Sequence, residues 1–157
     1  MTRFKESTGK QVLLILFLIV AAVGLLFYKV PKLQVYALSW KLSFSGYSKV
    51  DLFREMLEIR HPAVLEVLLN NLHIDDEDLP SNVVEKMEDF DGRSVGDYAA
   101  YLINKHCTYE LDLEGTDRYS RPVQINAFKV WLEAHVAHLV WNESKKKFID
   151  PRVPLEE

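Results

Sequence analysis

The sequence predicts a mainly α fold, in which a single N-terminal transmembrane helix is followed by a small domain of stacked helical hairpins. Three observations carry that expectation. Residues 11–28 contain no charged side chain and are enclosed by Lys10 and Lys29. From Ser48 onward apolar residues recur at three- and four-residue spacing, the period of an amphipathic helix. The periodic stretches are short and separated by breaks such as Arg60-His61-Pro62 and Asp91-Gly92, so neighbouring helices fold back on one another. The chain then divides into a basic N-terminal segment (1–11), the span (12–30), a juxtamembrane connector (31–47), the helical domain (48–149) and a C-terminal tail (150–157).

The span is justified by length and composition. Its eighteen uncharged residues make a helix of about 27 Å, close to the thickness of a hydrocarbon core. Leu, Ile, Val and Phe dominate, Phe27 and Tyr28 suit the headgroup level, and Lys10 and Lys29 can reach outward to water. The rival is a cleaved secretory signal cut near Ala22-Val23-Gly24. That cut would fall inside the apolar run, so an uncleaved signal-anchor accounts better for the pattern. Arg3, Lys5 and Lys10 precede the span, while Lys29 and Lys32 follow it. A basic N-terminus before a single span favours that end in the cytoplasm, with the domain on the periplasmic or extracytoplasmic side.

In the connector Leu38, Trp40, Leu42 and Phe44 alternate with Ser39, Lys41 and Ser43, a strand-like pattern; the alternative is a helix continuing from the membrane with Tyr36 and Trp40 at the interface, and in either form the segment is expected to pack on the bilayer or the domain. A first domain helix begins at Ser48, with Asp51 completing a weak capping box and Leu52, Phe53, Met56, Leu57 and Ile59 inward. Pro62 opens a second helix reaching about His73, with Val64, Leu65, Leu68 and Leu72 inward. Ser81 or Asn82 caps a third running to about Phe90, and Ser94 caps a fourth that ends near His106. Residues 109–120 read as a loop. A last helix from Pro122 carries Val123, Ala127, Val130, Trp131, Ala134 and His138 on one broad face, with Phe128, Leu132 and Leu139 adjacent, and a polar turn and an extended segment follow from Trp141 to Phe148.

Composition excludes some functions. A formal charge of −4 argues against nucleic-acid binding, which needs a concentrated basic face. The single cysteine, Cys107, rules out an intrachain disulfide. His135 and His138 lie one turn apart but have no third ligand fixed by spacing, and His106 and Cys107 are distant in sequence. Met87 to Tyr98 matches a calcium loop at Asp89, Asp91 and Gly92 but places Met87 and Tyr98 where acidic ligands are required. No catalytic residue, cofactor or metal ligand is therefore expected. The charge is uneven: eight acidic residues and one basic lie between Asp75 and Asp91. Asp75, Asp76, Glu77 and Asp78 form a candidate docking surface for a basic partner, and Trp131, His135 and Trp141 are candidate anchors on the last helix and just beyond.

Gly92-Arg93-Ser94-Val95-Gly96-Asp97-Tyr98-Ala99-Ala100-Tyr101-Leu102 resembles the second helix of bacterial HEAT-like (armadillo-type) repeats. Trp131-Leu132-Glu133-Ala134-His135, followed by Leu139-Val140-Trp141-Asn142 and Phe148, is similar to their tryptophan-bearing terminal helix and exit segment. The resemblance covers about residues 50–148 and implies a HEAT-like, protein-binding scaffold with no catalytic residues. The expected function is thus a membrane-anchored, non-catalytic scaffold for protein–protein interaction. The alternative is a small accessory subunit of a membrane complex, and a metal-dependent enzyme or sensor is the weakest reading. The expected partners are the lipid bilayer and an unidentified protein.

Overall fold

The computed structural model describes residues 3–44, 46, 48–73, 78–79, 81–84, 94–111 and 120–153. In chain order these form α1 (Arg3–Lys29), α2 (Pro31–Lys41), α3 (Lys49–Glu58), α4 (Ala63–Asn71), α5 (Ser81–Val84), α6 (Val95–His106) and α7 (Ser120–His135), followed by β1 (Val140–Asn142) and β2 (Lys147–Ile149). The chain is mainly α-helical.

The break between α1 and α2 is local. A residue before proline is pushed out of the helical region, and Val30 accordingly sits at φ −105°, ψ 105°, while the fixed φ of Pro31 suits the first turn of α2. Gln11–Leu26 and Pro31–Lys41 consequently meet at 98°. Among the described residues no single helix is long and apolar enough to cross a membrane. Gln11–Leu26 is about 24 Å long against a hydrocarbon core of about 30 Å. Within that stretch the large apolar side chains from Val12 to Leu26 are nevertheless 45–73% exposed, and among the described elements α1 touches only α2.

The alternation in the connector belongs to α2 and its closing turn, and the strand reading is corrected. Two stripes four residues apart produce it. Leu38 and Leu42 turn toward the domain, with Val35 fully buried beside them, whereas Trp40 and Phe44 turn outward and meet edge to face at 5.6 Å. Tyr36 lies one turn before Trp40 and is also exposed.

Helix starts follow their caps. Ser48 Oγ accepts from the Asp51 amide at 3.3 Å, and Ser94 and Asp97 form a reciprocal capping box on α6. Pro62 precedes α4, whose first turn is secured by the Ala63 amide donating to His61 Nδ1. α4 is the hub: it packs against α2, α3, α6 and α7, and Val64, Leu65, Leu68 and Leu72 are wholly buried. Arg121, from the first turn of α7, donates to the Leu72 carbonyl at 3.2 Å and pairs with Asp97 at 3.1 Å, tying three helices at one corner.

The last helix departs from its expected face and length. Val123 and Val130 are 69% and 59% exposed, with Ala127 and Ala134 also outward, while Phe128 and Leu132 are buried. Both stripes are apolar, and the core takes the one with larger side chains because they remove more surface from water. α7 stops at His135, so His138 lies in the following turn. The extended segment is a two-stranded antiparallel hairpin with Trp141 opposite Phe148, and a bridge between Cys107 and Phe148 seats it against the end of α6. Of the expected third helix, α5 covers Ser81–Val84, and residues 85–90 lie outside the described residues, as do Met87 to Gly92 of the calcium-loop comparison.

Candidate partner-binding groove

A groove of about 390 Å³, lined by charged and aromatic residues, lies between α3 and α6, with Trp141 of β1 in its lining. α3 and its C-terminal turn contribute Arg54, Leu57, Glu58 and Arg60; α6 contributes Tyr98, Tyr101, Leu102, Lys105 and His106; β1 contributes Trp141. Helical spacing explains the α6 wall, because positions 98, 101, 102 and 105 fall on one face.

Each long cation lies against an aromatic ring. Arg54 Cζ is 5.7 Å from the Tyr98 ring centre, and its Nε donates to the Tyr98 hydroxyl at 2.9 Å. Lys105 Nζ is 5.2 Å from the Tyr101 ring centre and donates to that hydroxyl at 3.0 Å. Arg60 Cζ is 5.9 Å from the Trp141 ring centre. Tyr98 and Tyr101 stack on one another at 6.0 Å. Such contacts hold a flexible cation in place while leaving its charge available. The opposing carboxylates are Glu58 in the wall, Asp51 at 3.9 Å from Arg54, and Glu143, which pairs with Arg60 at the rim.

Arg60 also carries a backbone signature. It closes α3 in the left-handed region at φ 57°, where glycine is the usual occupant and a side chain costs about 1 kcal/mol or more. His106 Nδ1 donates to the Lys146 carbonyl at 3.0 Å, which turns the other ring nitrogen away from that bond. Desolvation, reinforced by Lys105 and Lys147 and opposed by the Lys146 carbonyl, holds this imidazole below its ordinary pKa, so it is neutral at pH 7.

The candidate residues from the sequence fall into different settings. Trp141 lines the groove. Trp131 and His135 belong to a packing cluster: the Trp131 ring lies 5.2 Å from Tyr109, 6.0 Å from Phe128 and 4.7 Å from His135. His135 Nδ1 is 2.8 Å from Asp150 Oδ2, whose side chain is 2% exposed and also accepts from Arg152 Nη2 at 2.6 Å. This arrangement ties the residues after the hairpin back to α7. Asp78 is exposed and bridges through its backbone to Ser94; Asp75, Asp76 and Glu77 lie outside the described residues.

The sites weighed for chemistry separate as well. His135 engages Asp150, His138 is exposed, and among the described residues no three His, Cys, Asp or Glu side chains gather closely enough to hold a metal. Cys107 is fully buried at the end of α6, and burial pushes its thiol up to about 11, leaving little thiolate at neutral pH.

The sequence singles out Trp141, and Tyr98 and Tyr101 as aromatics that fill the core or, where exposed, anchor a partner, but it does not single out Arg54, Arg60 or Lys105. The Tyr101–Lys105 spacing of four was a visible signal, whereas the pairing of Arg54 with Tyr98 across two helices required the fold. Comparison with family models, with curated proteins and with solved structures gives no match.

Proposed function

We propose that this chain is a membrane-anchored helical scaffold, non-catalytic, that holds a partner protein beside a bilayer. The observation that carries the reading is the apolar surface of α1, exposed along Val12 to Leu26, with α2 the one described element packed against it. So large an apolar surface is unfavourable in water and favourable in hydrocarbon, and a helix satisfies its own backbone polar groups there. The uncharged sequence continues to Tyr28, which supplies the remaining length of a span.

α2 supports the same reading from the domain side. Its outward stripe, Tyr36, Trp40 and Phe44, is aromatic, and Lys29, Lys32 and Lys41 are interspersed with it. Aromatic rings and lysines suit the headgroup level, and a helix turned 98° from a span lies along the membrane surface. The charge balance around α1 favours a cytoplasmic N-terminus and an extracytoplasmic domain. Beyond the anchor, the short helices packed about α4 form the HEAT-like module of this proposal, and the groove between α3 and α6 serves as its partner-binding face. Confinement at a membrane raises effective concentration, so a modest interface suffices.

Alkaline carbonate extraction followed by flotation tests the reading. The full chain is expected to remain with the lipid after extraction, and Leu18→Arg is expected to release it, because a central arginine costs about 2.5–3.5 kcal/mol on insertion scales. Release of the unmodified chain by carbonate would contradict the anchor.

A further inference from the structure

We infer that the groove between α3 and α6 is a docking site for an acidic protein segment carrying an aromatic or aliphatic side chain. The inference rests on the reading of the domain as an interaction module and names the chemistry of its partner.

Charge complementarity argues for an acidic occupant. Arg54, Arg60 and Lys105 line one groove of a chain whose net charge is −4, with Glu58 the one carboxylate among the lining residues and Asp51 and Glu143 pairing with Arg54 and Arg60 from outside that lining. The three cations are positioned before any ligand arrives: hydrogen bonds to the Tyr98 and Tyr101 hydroxyls hold Arg54 and Lys105, and the Arg60 guanidinium lies by the Trp141 ring. Less side-chain ordering then remains to be done on binding. Glu143 pairs with Arg60 at an exposed position, so an incoming carboxylate exchanges with it at small cost.

The aromatic lining argues for a peptide rather than a bare anion. Tyr101 and Trp141, both only partly buried, present apolar surface that a small inorganic anion leaves uncovered, and Tyr98 and Leu57 back them from the core. A carboxylate next to a large apolar side chain uses both features: the charge meets the cations, and the side chain covers the rings. Arg60 points the same way. Its left-handed backbone favours glycine, yet an arginine stands there with its guanidinium over Trp141.

The test uses the full chain in lipid nanodiscs and fluorescence anisotropy of a fluorescein-labelled peptide of alternating glutamate and phenylalanine. The control peptide replaces glutamate with lysine. The acidic peptide is expected to bind, with affinity falling as salt rises, and Lys105→Gln combined with Arg60→Gln is expected to weaken it at least about tenfold. Both side chains are exposed, and an unchanged circular dichroism melting curve verifies the fold of the variant. Arg60→Gly, which keeps the favoured backbone and removes the charge, is expected to weaken binding while raising the melting temperature. Equal binding of the lysine peptide, or unchanged affinity in the double variant, would overturn the inference. So would displacement by equimolar inorganic phosphate, or self-association lost in the variants, because the occupant would then be a small anion or a second copy. Flotation of the same sample separates the two claims. A chain that stays in lipid but ignores the peptide refutes the groove alone, whereas a chain that leaves the lipid refutes the anchor.

Discussion

α1 and α4 are built from the same kinds of side chain and end in opposite surroundings. In α4, Val64, Leu65 and Leu68 are wholly buried because α2, α3, α6 and α7 surround the helix. In α1, equally apolar residues such as Leu14, Leu18 and Leu25 remain more than half exposed. The difference lies in what interrupts the apolar run. Glu66 and Asn70 break α4 and face outward, which commits the helix to one buried side and a short length. Nothing charged breaks the run from Gln11 to Tyr28, so no face of α1 is set aside for water. Composition makes both segments helical, and the placement of polar residues decides whether the apolar surface is enclosed by protein or left exposed.

The sharpest way to break the comparison is to make the same truncation in both helices. Leu68→Ala leaves a cavity at the hub and is expected to cost about 2–5 kcal/mol in denaturant unfolding of the domain. Leu18→Ala is expected to leave that transition unmoved, since Leu18 is 57% exposed and is not among the described residues that form or pack against the core. Equal losses at the two positions would mean that α1 packs into the domain.

A smaller effect is expected where α4 ends. Arg121→Gln removes the donor to the Leu72 carbonyl and the partner of Asp97 at a corner only about one-fifth exposed. A loss of about 1–3 kcal/mol is expected in the same unfolding measurement. The Asp97→Asn variant should then lose part of its effect in the Arg121→Gln background, because the two groups share one network.

Acid extends the contrast between the regions. Hydrogen bonds from Arg152, opposed by desolvation and supported by His135, hold the Asp150 carboxyl well below the usual carboxylate range. A depressed carboxyl stabilises the fold fully above its unfolded value near pH 4, and that contribution fades as pH falls further. The domain melting temperature is therefore expected to fall more steeply below about pH 4 than that of Asp150→Asn. The helical signal of α1, whose run from Gln11 to Leu26 has no titratable side chain, is expected to stay level. Parallel pH profiles for the chain and the variant would remove Asp150 from the account.

Much of the helical order was legible because caps are local. Ser48, Pro62 and Ser94 sit where the observed helices start, and each acts through atoms within three residues of itself. α2 was not legible, because two stripes four residues apart produce the same alternation as a strand. Which part of the broad apolar face of α7 turns inward was not legible for a related reason. Val123 and Val130 form as regular a stripe as Phe128 and Leu132, and only competition for space in the core separates them. The groove was legible only in fragments: Trp141 and the spacing of Tyr101 and Lys105 are local, whereas its three cation–aromatic contacts depend on α3, α6 and β1 meeting.

The central claim is that the exposed apolar surface of α1 belongs in lipid. A nitroxide attached at Leu18, after replacement of Cys107 by alanine, reports this directly in nanodiscs through its relaxation by oxygen and by a water-soluble nickel chelate. The account predicts strong relaxation by oxygen, which concentrates in hydrocarbon, and little by the chelate. Strong relaxation by the chelate at Leu18, matching that of a label on exposed Lys145, would contradict it.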